Sequence, residues 1–352
     1  MKKTYDVNVE SFMPLMAPEE FKNQFPMPPE SEDAVVAGRE EIKNILSGND
    51  RRLMVITGPC SVHDEAAAIE YAQRLCKLRE KVKDSFCIVM RVYFEKPRTT
   101  IGWKGLINDP YMDDSRDVME GLRRARQLLI NITSMGLPTA TELLDPIIPQ
   151  FIDGLICWAA IGARTTESQT HREMSSGLSM PVGFKNTTDG ALDIAINSMV
   201  AAKSPQSFLG IDPHGKVCVV KTKGNPYAHI VLRGGKRPNY DSVSIRDAVE
   251  RLKKLDLSQS IIVDCSHANS GKKFEGQAIV WDDVIGQYLN GNSSIKGLML
   301  ESNICEGNQS LSCAPENLKY GVSVTDECIS WETTEELISK GHRRIGKANV
   351  SL

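Results

Sequence analysis

The chain has 352 residues, of which 41% are hydrophobic and 25% charged, an ordinary composition for a globular protein. Its 42 Lys and Arg nearly balance its 45 Asp and Glu, so the formal net charge is −3. This balance argues against nucleic acid or a membrane surface as a partner, and no apolar run approaches the ~18 residues that span a bilayer. The nine cysteines include no Cys-x-x-Cys pair, and no apolar signal segment follows the first residues. We expect a cytoplasmic protein without a disulfide framework.

Residues 1–51 differ in pattern from the rest and are predicted to form an N-terminal extension. An acidic, Pro-containing stretch at 27–33 leads into one amphipathic helix from about Ser31 to Leu46, which Ser47-Gly48-Asn49 ends. We expect this extension to pack outside the main domain and to serve oligomer contacts or regulation.

From residue 52 to residue 352, short apolar runs alternate with amphipathic segments of helix length. Eight runs read as parallel strands buried on both faces. They are Leu53–Gly58, Phe86–Tyr93, Pro138–Leu143, Gly154–Ile161, Val182–Lys185, His229–Arg233, Ser260–Cys265 and Gly297–Glu301. Helices are predicted at Ala66–Val82, Arg116–Ser134, Ala191–Ala202, Ser244–Leu255 and Trp281–Leu289. Eight such units favour a closed (β/α)₈ TIM barrel of class α/β over an open doubly wound sheet. No Gly-x-Gly-x-x-Gly follows a strand, which weakens the dinucleotide-binding alternative.

One segment interrupts this alternation. Residues 208–225 predict a β-hairpin that turns at Asp212–Gly215, inserted before the sixth barrel strand. A barrel does not need this hairpin, so we assign it to regulation or assembly.

Metal-ligating side chains follow three strands that adjoin in a closed barrel. The first, seventh and eighth strands supply Cys60, His267 and Glu301, and Asp326 follows beyond the eighth. A thiolate, an imidazole and two carboxylates suit a divalent transition metal. Singly, such a cysteine is usually core filler and such a histidine structural. Because four ligand-type residues share one arc, we favour the metal site.

Five cationic side chains follow the second, fourth, fifth and sixth strands. They are Arg91, Lys96, Arg164, Lys185 and Arg233. Arginine's planar fork grips phosphate or carboxylate in a bidentate manner. A salt-bridge network with Glu142 and Asp264 could neutralise two of these charges, not five. The pattern therefore predicts a small, multiply anionic substrate beside a metal.

Lys185 allows a second reaction mechanism. A lysine at a barrel strand end can form a Schiff base with a carbonyl substrate if its pKa is depressed, which neighbouring cations could cause. Inactivation by chelators would favour the metal route, and borohydride trapping the imine route.

The sequence motifs at the strand ends together closely resemble those of the metal-dependent 3-deoxy-D-arabino-heptulosonate 7-phosphate (DAHP) synthases. The branch that they resemble is class I, which is regulated by aromatic amino acids. The motifs are Gly58–Asp64 (GPCSVHD), Arg91–Thr99 (RVYFEKPRT), Gly102–Pro110 (GWKGLINDP), Gly162–Glu173 (GARTTESQTHRE), Pro181–Asn186 (PVGFKN), Leu232–Tyr240 (LRGGKRPNY), Asp264–Asn269 (DCSHAN) and Glu301–Gln309 (ESNICEGNQ). The resemblance covers nearly the whole chain.

The resemblance implies a reaction and assigns the site residues to it. This family, the first in the shikimate pathway, condenses phosphoenolpyruvate with erythrose 4-phosphate and releases phosphate. The metal, of the Mn²⁺, Fe²⁺, Co²⁺ or Zn²⁺ class, would be held by Cys60, His267, Glu301 and Asp326. Phosphoenolpyruvate would be bound by Arg91, Lys96, Arg164, Lys185 and Arg233, and erythrose 4-phosphate by Lys96, Pro97, Arg98 and Thr99. Glu142 is a further substrate-binding candidate, and Lys96, Cys60 and His267 are the catalytic candidates.

Two rival functions are weighed against this one. The related 8-phosphate synthases condense the same enol with arabinose 5-phosphate. They are typically shorter and carry an Asn-containing loop in place of Lys96-Pro97-Arg98-Thr99, so this turn, the extension and the hairpin favour the four-carbon aldose. A barrel that has lost catalysis and serves as an amino-acid sensor is disfavoured, because every ligand and clamp position holds a competent residue.

In the regulated branch the inhibitor site resembles a cavity between barrel helices, the hairpin and a neighbouring subunit's extension, which implies a homo-oligomer, dimer or tetramer. The matching positions are Asp6, Asp145, Pro149, Gln150, Ser179, Phe208, Gly210 and Val220, with Asp6 contributed by the other subunit. Hairpin packing is the alternative for Phe208 and Val220. Phenylalanine-sensitive relatives tend to carry serine where Gly210 stands, so of tyrosine and phenylalanine we favour tyrosine as the inhibitor.

Overall fold

The chain folds into a closed barrel of eight parallel strands. The computed structural model describes residues 4–311 and 315–350. These residues form ten strands, namely β1 (Leu53–Gly58), β2 (Phe86–Arg91), β3 (Thr139–Glu142), β4 (Trp158–Ile161), β5 (Val182–Lys185), β6 (Ser207–Ile211), β7 (Val217–Lys221), β8 (Ala228–Leu232), β9 (Ile261–Asp264) and β10 (Ile295–Glu301). The barrel order is β1-β10-β9-β8-β5-β4-β3-β2, so the predicted (β/α)₈ fold is confirmed.

Helices follow the strands and form the outer layer. They are α1 (Pro18–Gln24), α2 (Pro29–Ser47), α3 (Glu65–Val82), α4 (Val118–Ser134), α5 (Pro149–Ile152), α6 (Gln169–Gly177), α7 (Leu192–Lys203), α8 (Ser242–Lys254), α9 (Gly276–Leu289) and α10 (Trp331–Val350). Carboxylates of Asp64, Asp117 and Asp241 accept backbone N–H groups at the starts of α3, α4 and α8. Among the described residues, no helix is both long and apolar enough to cross a membrane.

The strand predicted at Gly154–Ile161 is shorter than expected. Residues Asp153–Leu155 form a 3₁₀ turn, and β4 begins only at Trp158. The apolar run is continuous because the turn itself is packed into the core, where Leu155 is fully buried. An unbroken apolar run therefore misplaces the start of this strand.

Helix α2 covers the amino-terminal end of the barrel. Its residues Val35, Ile42 and Ile45 belong to the same buried cluster as Met54 and Val89 of the barrel interior. Its Arg39 donates hydrogen bonds to the carbonyl oxygens of Asp153 and Ile156, at 2.7 and 3.0 Å, just before β4. The expectation that the extension packs outside the main domain is thus wrong for α2, because its apolar face completes the barrel core. A domain boundary at residue 51 stays a prediction.

The predicted hairpin is present as β6 and β7, which pair antiparallel with Phe208 opposite Val220. It lies between β5 and β8 in the chain but outside the barrel sheet. The Asp212 carboxylate accepts the backbone N–H groups of His214 and Lys216, both at 2.9 Å, and Gly215 takes a left-handed φ of 78°. This turn geometry explains why Asp and Gly occupy its two ends.

Candidate active site

Three candidate metal ligands converge at the carboxyl-terminal end of the barrel. Cys60 follows β1, Glu301 ends β10, and Asp326 comes from the segment before α10. One ligand atom from each lies within 4.8 Å of the others, and Cys60 Sγ is 3.6 Å from Asp326 Oδ2. Cys60 and Glu301 are buried, whereas Asp326 is exposed. A soft sulfur beside two carboxylates is a donor set that fits a divalent transition metal.

His267, the fourth predicted ligand, stands beside this trio rather than within it. Its Nε2 lies 3.9 Å from Glu301 Oε1, and its Nδ1 lies 2.9 Å from Asp264 Oδ2. A carboxylate on Nδ1 favours the proton there and leaves Nε2 as the free electron pair, the arrangement of histidines that bind metals. Burial opposes ionisation of Asp264, but His267 and Lys185 hold the pKa of its carboxyl well below the usual range.

Arg91 reaches across to the metal-ligand side of the barrel instead of staying with the other cations. Its Nη2 donates to Glu301 Oε1 at 2.7 Å and to the Cys60 carbonyl at 3.1 Å, while Nε donates to the Pro59 carbonyl at 2.9 Å. Arg91 and Glu301 are both about 1% exposed. Arg91 therefore fixes the Cys60 loop against β10, a role that its strand position alone did not indicate.

Lys185 lies between two buried carboxylates. Its Nζ is 3.4 Å from Glu142 Oε2 and 3.4 Å from Asp264 Oδ2. Burial alone would lower the pKa of Lys185, but Tyr93, Glu142 and Asp264 together raise it. This raised pKa argues against a Schiff-base role for Lys185, which stays an alternative. The pKa is raised in part because both carboxylates pair with this one lysine.

The remaining cations keep their charges available. Among the described residues, no carboxylate oxygen lies within 4.0 Å of the charged nitrogens of Lys96, Arg164 or Arg233. Lys96 Nζ instead donates to Cys60 Sγ at 3.1 Å and to the Cys60 carbonyl at 3.3 Å. Arg164 Nε donates to Thr99 Oγ1 at 3.2 Å. Uncompensated positive charge in a concave site attracts anions.

These side chains surround one cavity of about 670 Å³. All nine predicted substrate-binding residues line it, namely Arg91, Lys96, Pro97, Arg98, Thr99, Glu142, Arg164, Lys185 and Arg233, as do His267, Glu301 and Asp326. The floor is tightly built, since a Cβ at Gly162 would lie 2.4 Å from Glu142 Oε1. The site therefore combines a cation-binding edge with several groups for holding anions.

The sequence did not identify the residues that position Arg233, nor some of the residues that line the rim of the cavity. Asn186 Oδ1 accepts the backbone N–H of Arg233 at 2.9 Å and the amide of Asn239 at 3.1 Å. Asn269 Oδ1 accepts the backbone N–H of Asn239 at 2.8 Å. The three asparagines thus lock together the loops after β5, β8 and β9. The sequence does contain a signal for these asparagines, because each lies in one of the strand-end motifs that carry the family resemblance. Lys272 and Lys273, which also line the cavity, come three and four residues after the end of the Asp264–Asn269 motif.

Comparison with known proteins shows the family of this chain. The model of the DAHP synthetase I family matches residues 26–339. The chain belongs to the DAHP synthetase I family. The family resemblance and the assignment as an enzyme, a transferase of this family, are thereby confirmed.

Two curated relatives and one solved structure are similar over nearly their full lengths. The Tyr-sensitive phospho-2-dehydro-3-deoxyheptonate aldolase of Salmonella typhimurium is 53% identical, covering 96% of this chain and 95% of the relative. The Phe-sensitive enzyme of Escherichia coli K12 is 51% identical, covering 95% of each chain. The structure of the Francisella tularensis phospho-2-dehydro-3-deoxyheptonate aldolase matches with a TM-score of 0.93 and 45% identity, over 96% of this chain and 98% of that one.

In this DAHP synthetase family member, most of the predicted inhibitor residues lie on or beside the hairpin and α5. Helix α1 contacts both of these elements. Backbone N–H of Glu19 donates to the hairpin carbonyl of Pro213 at 2.9 Å, which joins the hairpin to α1. The rings of Phe21 in α1 and Phe151 in α5 are 5.3 Å apart. Of the predicted residues, Asp145, Pro149 and Gln150 lie in or just before α5, Ser179 follows α6, and Phe208, Gly210 and Val220 lie on the hairpin. Asp6 is exposed on the single chain, and its assignment to another subunit's site stays a prediction.

Proposed function

We propose that this enzyme joins phosphoenolpyruvate, erythrose 4-phosphate and water into DAHP and inorganic phosphate. One observation carries the proposal: three candidate metal ligands lie beside Lys96, Arg164 and Arg233, cations that have no carboxylate partner among the described residues. Two small phosphorylated substrates would supply the missing negative charge. As these metabolites are intracellular, we propose a cytoplasmic location.

Phosphoenolpyruvate would occupy the inner part of the cavity. Its phosphate and carboxylate suit the charged forks of Arg164 and Arg233 together with the ammonium groups of Lys185 and Lys96. Arg233 is held by the asparagine network and Lys185 by Glu142 and Asp264, so the anion sites are formed before substrate arrives. Such preorganisation lowers the cost of ordering two small ligands for reaction.

Erythrose 4-phosphate would lie toward the turn Lys96-Pro97-Arg98-Thr99. Arg98 and Thr99 are exposed to the cavity mouth, and Thr99 already contacts Arg164. We assign the aldose phosphate to Arg98 and Thr99. Its aldehyde end then faces Lys96 and the candidate metal ligands.

Cys60, His267, Glu301 and Asp326 are the residues we assign to a divalent metal of the Mn²⁺, Fe²⁺, Co²⁺ or Zn²⁺ class. Their sulfur, nitrogen and oxygen donors fit such an ion, and when bound it polarises a carbonyl oxygen and offsets developing negative charge. Without it, burial and then Glu301 raise the pKa of Cys60 to about 11, and Lys96 acts in the opposite sense.

The bond-forming sequence follows from these positions. C3 of phosphoenolpyruvate attacks the aldehyde carbon, and Lys96 Nζ holds a proton where the aldehyde oxygen gains negative charge. Burial opposes the charged form of Lys96, but Cys60 and Glu301 outweigh it and raise the pKa of its ammonium, which keeps this proton in place. Water then adds at C2, and the hemiketal phosphate expels inorganic phosphate, which Arg164 and Arg233 hold as it leaves.

Feedback inhibition by an aromatic amino acid is part of the proposal. Curated relatives carry Tyr-sensitive and Phe-sensitive in their names. We propose that the surface between α1, α5, α6 and the hairpin binds the inhibitor in a homo-oligomer, with Asp6 supplied by another subunit, and that tyrosine is preferred.

Phosphate release measured with both substrates tests this function. We expect activity with erythrose 4-phosphate, little with arabinose 5-phosphate, loss on metal stripping and recovery on adding Mn²⁺ or Co²⁺. A preference for arabinose 5-phosphate would favour the 8-phosphate synthase reaction instead. No release with either aldose, together with binding of an aromatic amino acid, would favour a sensor.

A further inference from the structure

The candidate metal ligand Asp326 differs from the other three in how the fold supports it. Cys60, His267 and Glu301 each lie at or within three residues of the end of a barrel strand. Asp326 lies between β10 and α10, where the described residues form no strand, and it is the exposed member of the trio. Its own segment therefore holds it beside Cys60, in part through the backbone N–H of Ile329, which donates to the carbonyl of Glu301 at 3.0 Å at the end of β10.

The residues next to two of the ligands are joined directly. Ser61 follows Cys60 and Thr325 precedes Asp326, and their hydroxyl oxygens are 2.7 Å apart. Ser61 is fully buried, so its hydroxyl depends on this partner. A buried hydroxyl that loses its partner costs about 1–3 kcal/mol, which makes the pair a strong tether for its size.

Thr325 is itself oriented by two further hydrogen bonds. Its backbone N–H donates to Ser323 Oγ at 3.2 Å, and its carbonyl accepts from Asn308 Nδ2 at 3.0 Å. The segment is also paired through Gly307 with Cys328. The peptide that carries Asp326 is thus fixed on the side of Ser61, with the carboxylate directed toward Cys60.

We propose that the hydrogen bond between Ser61 and Thr325 is a positioning clasp that sets the distance between Cys60 and Asp326 and thereby the affinity for the metal. This inference rests on the metal site proposed above. Neither hydroxyl is assigned to the metal or to a substrate. Partners of this kind, one step removed from a ligand, typically change metal affinity 10- to 100-fold when they are lost.

The test is the dissociation constant for Co²⁺, measured by titration calorimetry on the stripped full-length protein. We expect Ser61→Ala and Thr325→Val each to weaken Co²⁺ binding about tenfold or more, and Thr325→Ser to stay within about twofold of the unchanged protein. The double variant should lose little beyond either single variant, because both remove the same bond. Thr222→Val is the matched control, since it removes a hydroxyl pair with Ser176 at 2.6 Å on the hairpin side.

A spectroscopic readout separates positioning from general damage. At saturating Co²⁺ the thiolate charge-transfer absorption should persist in Ser61→Ala, because Cys60 is retained, while the ligand-field bands change as Asp326 detaches. Circular dichroism checks folding, and Thr325→Ala serves if Thr325→Val does not fold. If Ser61→Ala and Thr325→Val keep the Co²⁺ affinity of the unchanged protein while Cys60→Ala abolishes binding, the clasp is overturned and the metal site stands. Binding that Cys60→Ala leaves intact overturns the metal site and the clasp together.

Discussion

The ammonium nitrogen of Lys96 lies 3.1 Å from the sulfur of Cys60. The same sulfur is 3.6 Å from a carboxylate oxygen of Asp326, and Arg91 binds the Cys60 carbonyl. Cys60 therefore joins the cationic side of the cavity to the metal-ligand side. Burial raises the pKa of this thiol to about 11, which disfavours it as a free nucleophile. Its place beside Glu301 and Asp326 is what makes it a candidate metal ligand.

Replacement of Cys60 by alanine should remove metal-supported turnover. The sulfur is the one soft donor of the trio, and two carboxylates alone hold a transition metal weakly. We expect phosphate release in Cys60→Ala to fall to the level of the stripped protein, even at millimolar Mn²⁺. Cys157→Ala is the control, since it also deletes a buried thiol but next to α2. Full activity in Cys60→Ala would contradict the ligand assignment.

Lys185 should not be trapped as an imine. Its Nζ is charged and lies 3.4 Å from each of two carboxylates, so the unprotonated amine is scarce. Incubation with phosphoenolpyruvate, erythrose 4-phosphate and borohydride should leave the intact protein mass unchanged. An adduct mapped to Lys185 by peptide mass spectrometry would restore the Schiff-base mechanism.

Glu95 should make the stability of the protein fall as pH rises. Burial raises the pKa of its carboxyl from 4.5 to about 8, against hydrogen bonds from the backbone N–H groups of Leu144 and Asp145. Because the folded-state pKa exceeds the unfolded one, the unfolded chain releases this proton first. The resulting loss of unfolding free energy runs from about pH 4.5 to pH 8 and amounts to roughly 5 kcal/mol at most.

The variant Glu95→Gln tests this, since it cannot ionise. Urea unfolding at several pH values should show a flatter decline between pH 5 and pH 8 than in the unchanged protein. The loss of a hydrogen-bond acceptor in Glu95→Gln changes the free energy of unfolding by the same amount at every pH. The change in slope therefore reports only the loss of the ionisable carboxyl. Glu32→Gln, on the exposed side of α2, should keep the original slope. An identical slope in Glu95→Gln would show that Glu95 ionises normally in the folded protein.

Serine at position 210 should shift inhibition from tyrosine toward phenylalanine. A Cβ at Gly210 would lie 2.9 Å from Val220 and 3.8 Å from Phe208, so the added side chain narrows the inner face of the hairpin. We expect inhibition by tyrosine to weaken about tenfold, the usual order for a misplaced small group in a pocket. Leu209→Ser, on the exposed face, should leave both inhibition constants unchanged. If tyrosine inhibits the Gly210→Ser and Leu209→Ser variants equally, the inhibitor binds elsewhere on the protein.

The fold and the members of the site could be predicted because each depends on a local pattern. Continuous apolar runs locate strands buried on both faces, and the polar residue after each run marks the barrel rim. This placed Cys60 and Glu301 together and put Arg164 and Arg233 around the same cavity, whereas Asp326 follows no strand directly.

The pairing within the site could not be predicted because it depends on side-chain conformation over a few ångströms. The sequence pattern cannot tell that Lys185 takes both Glu142 and Asp264, or that Arg91 turns toward Glu301. The same holds for α2, whose apolar stripe is equally consistent with a partner subunit or with its own barrel. Only the closed structure decides which apolar surface it meets.

The sealing of the barrel by α2 also bears on the order of events in catalysis. With that end filled by side chains, the cavity is a blind well whose opening lies at the turn carrying Arg98 and Thr99. Lys185 and Arg91 are at its base and nearly inaccessible, whereas Arg98, Thr99 and Arg164 stand at the opening. If the enol phosphate occupies the base as proposed, the aldose arriving above it blocks the way in and out. We therefore propose that the two substrates bind in order, the three-carbon substrate first.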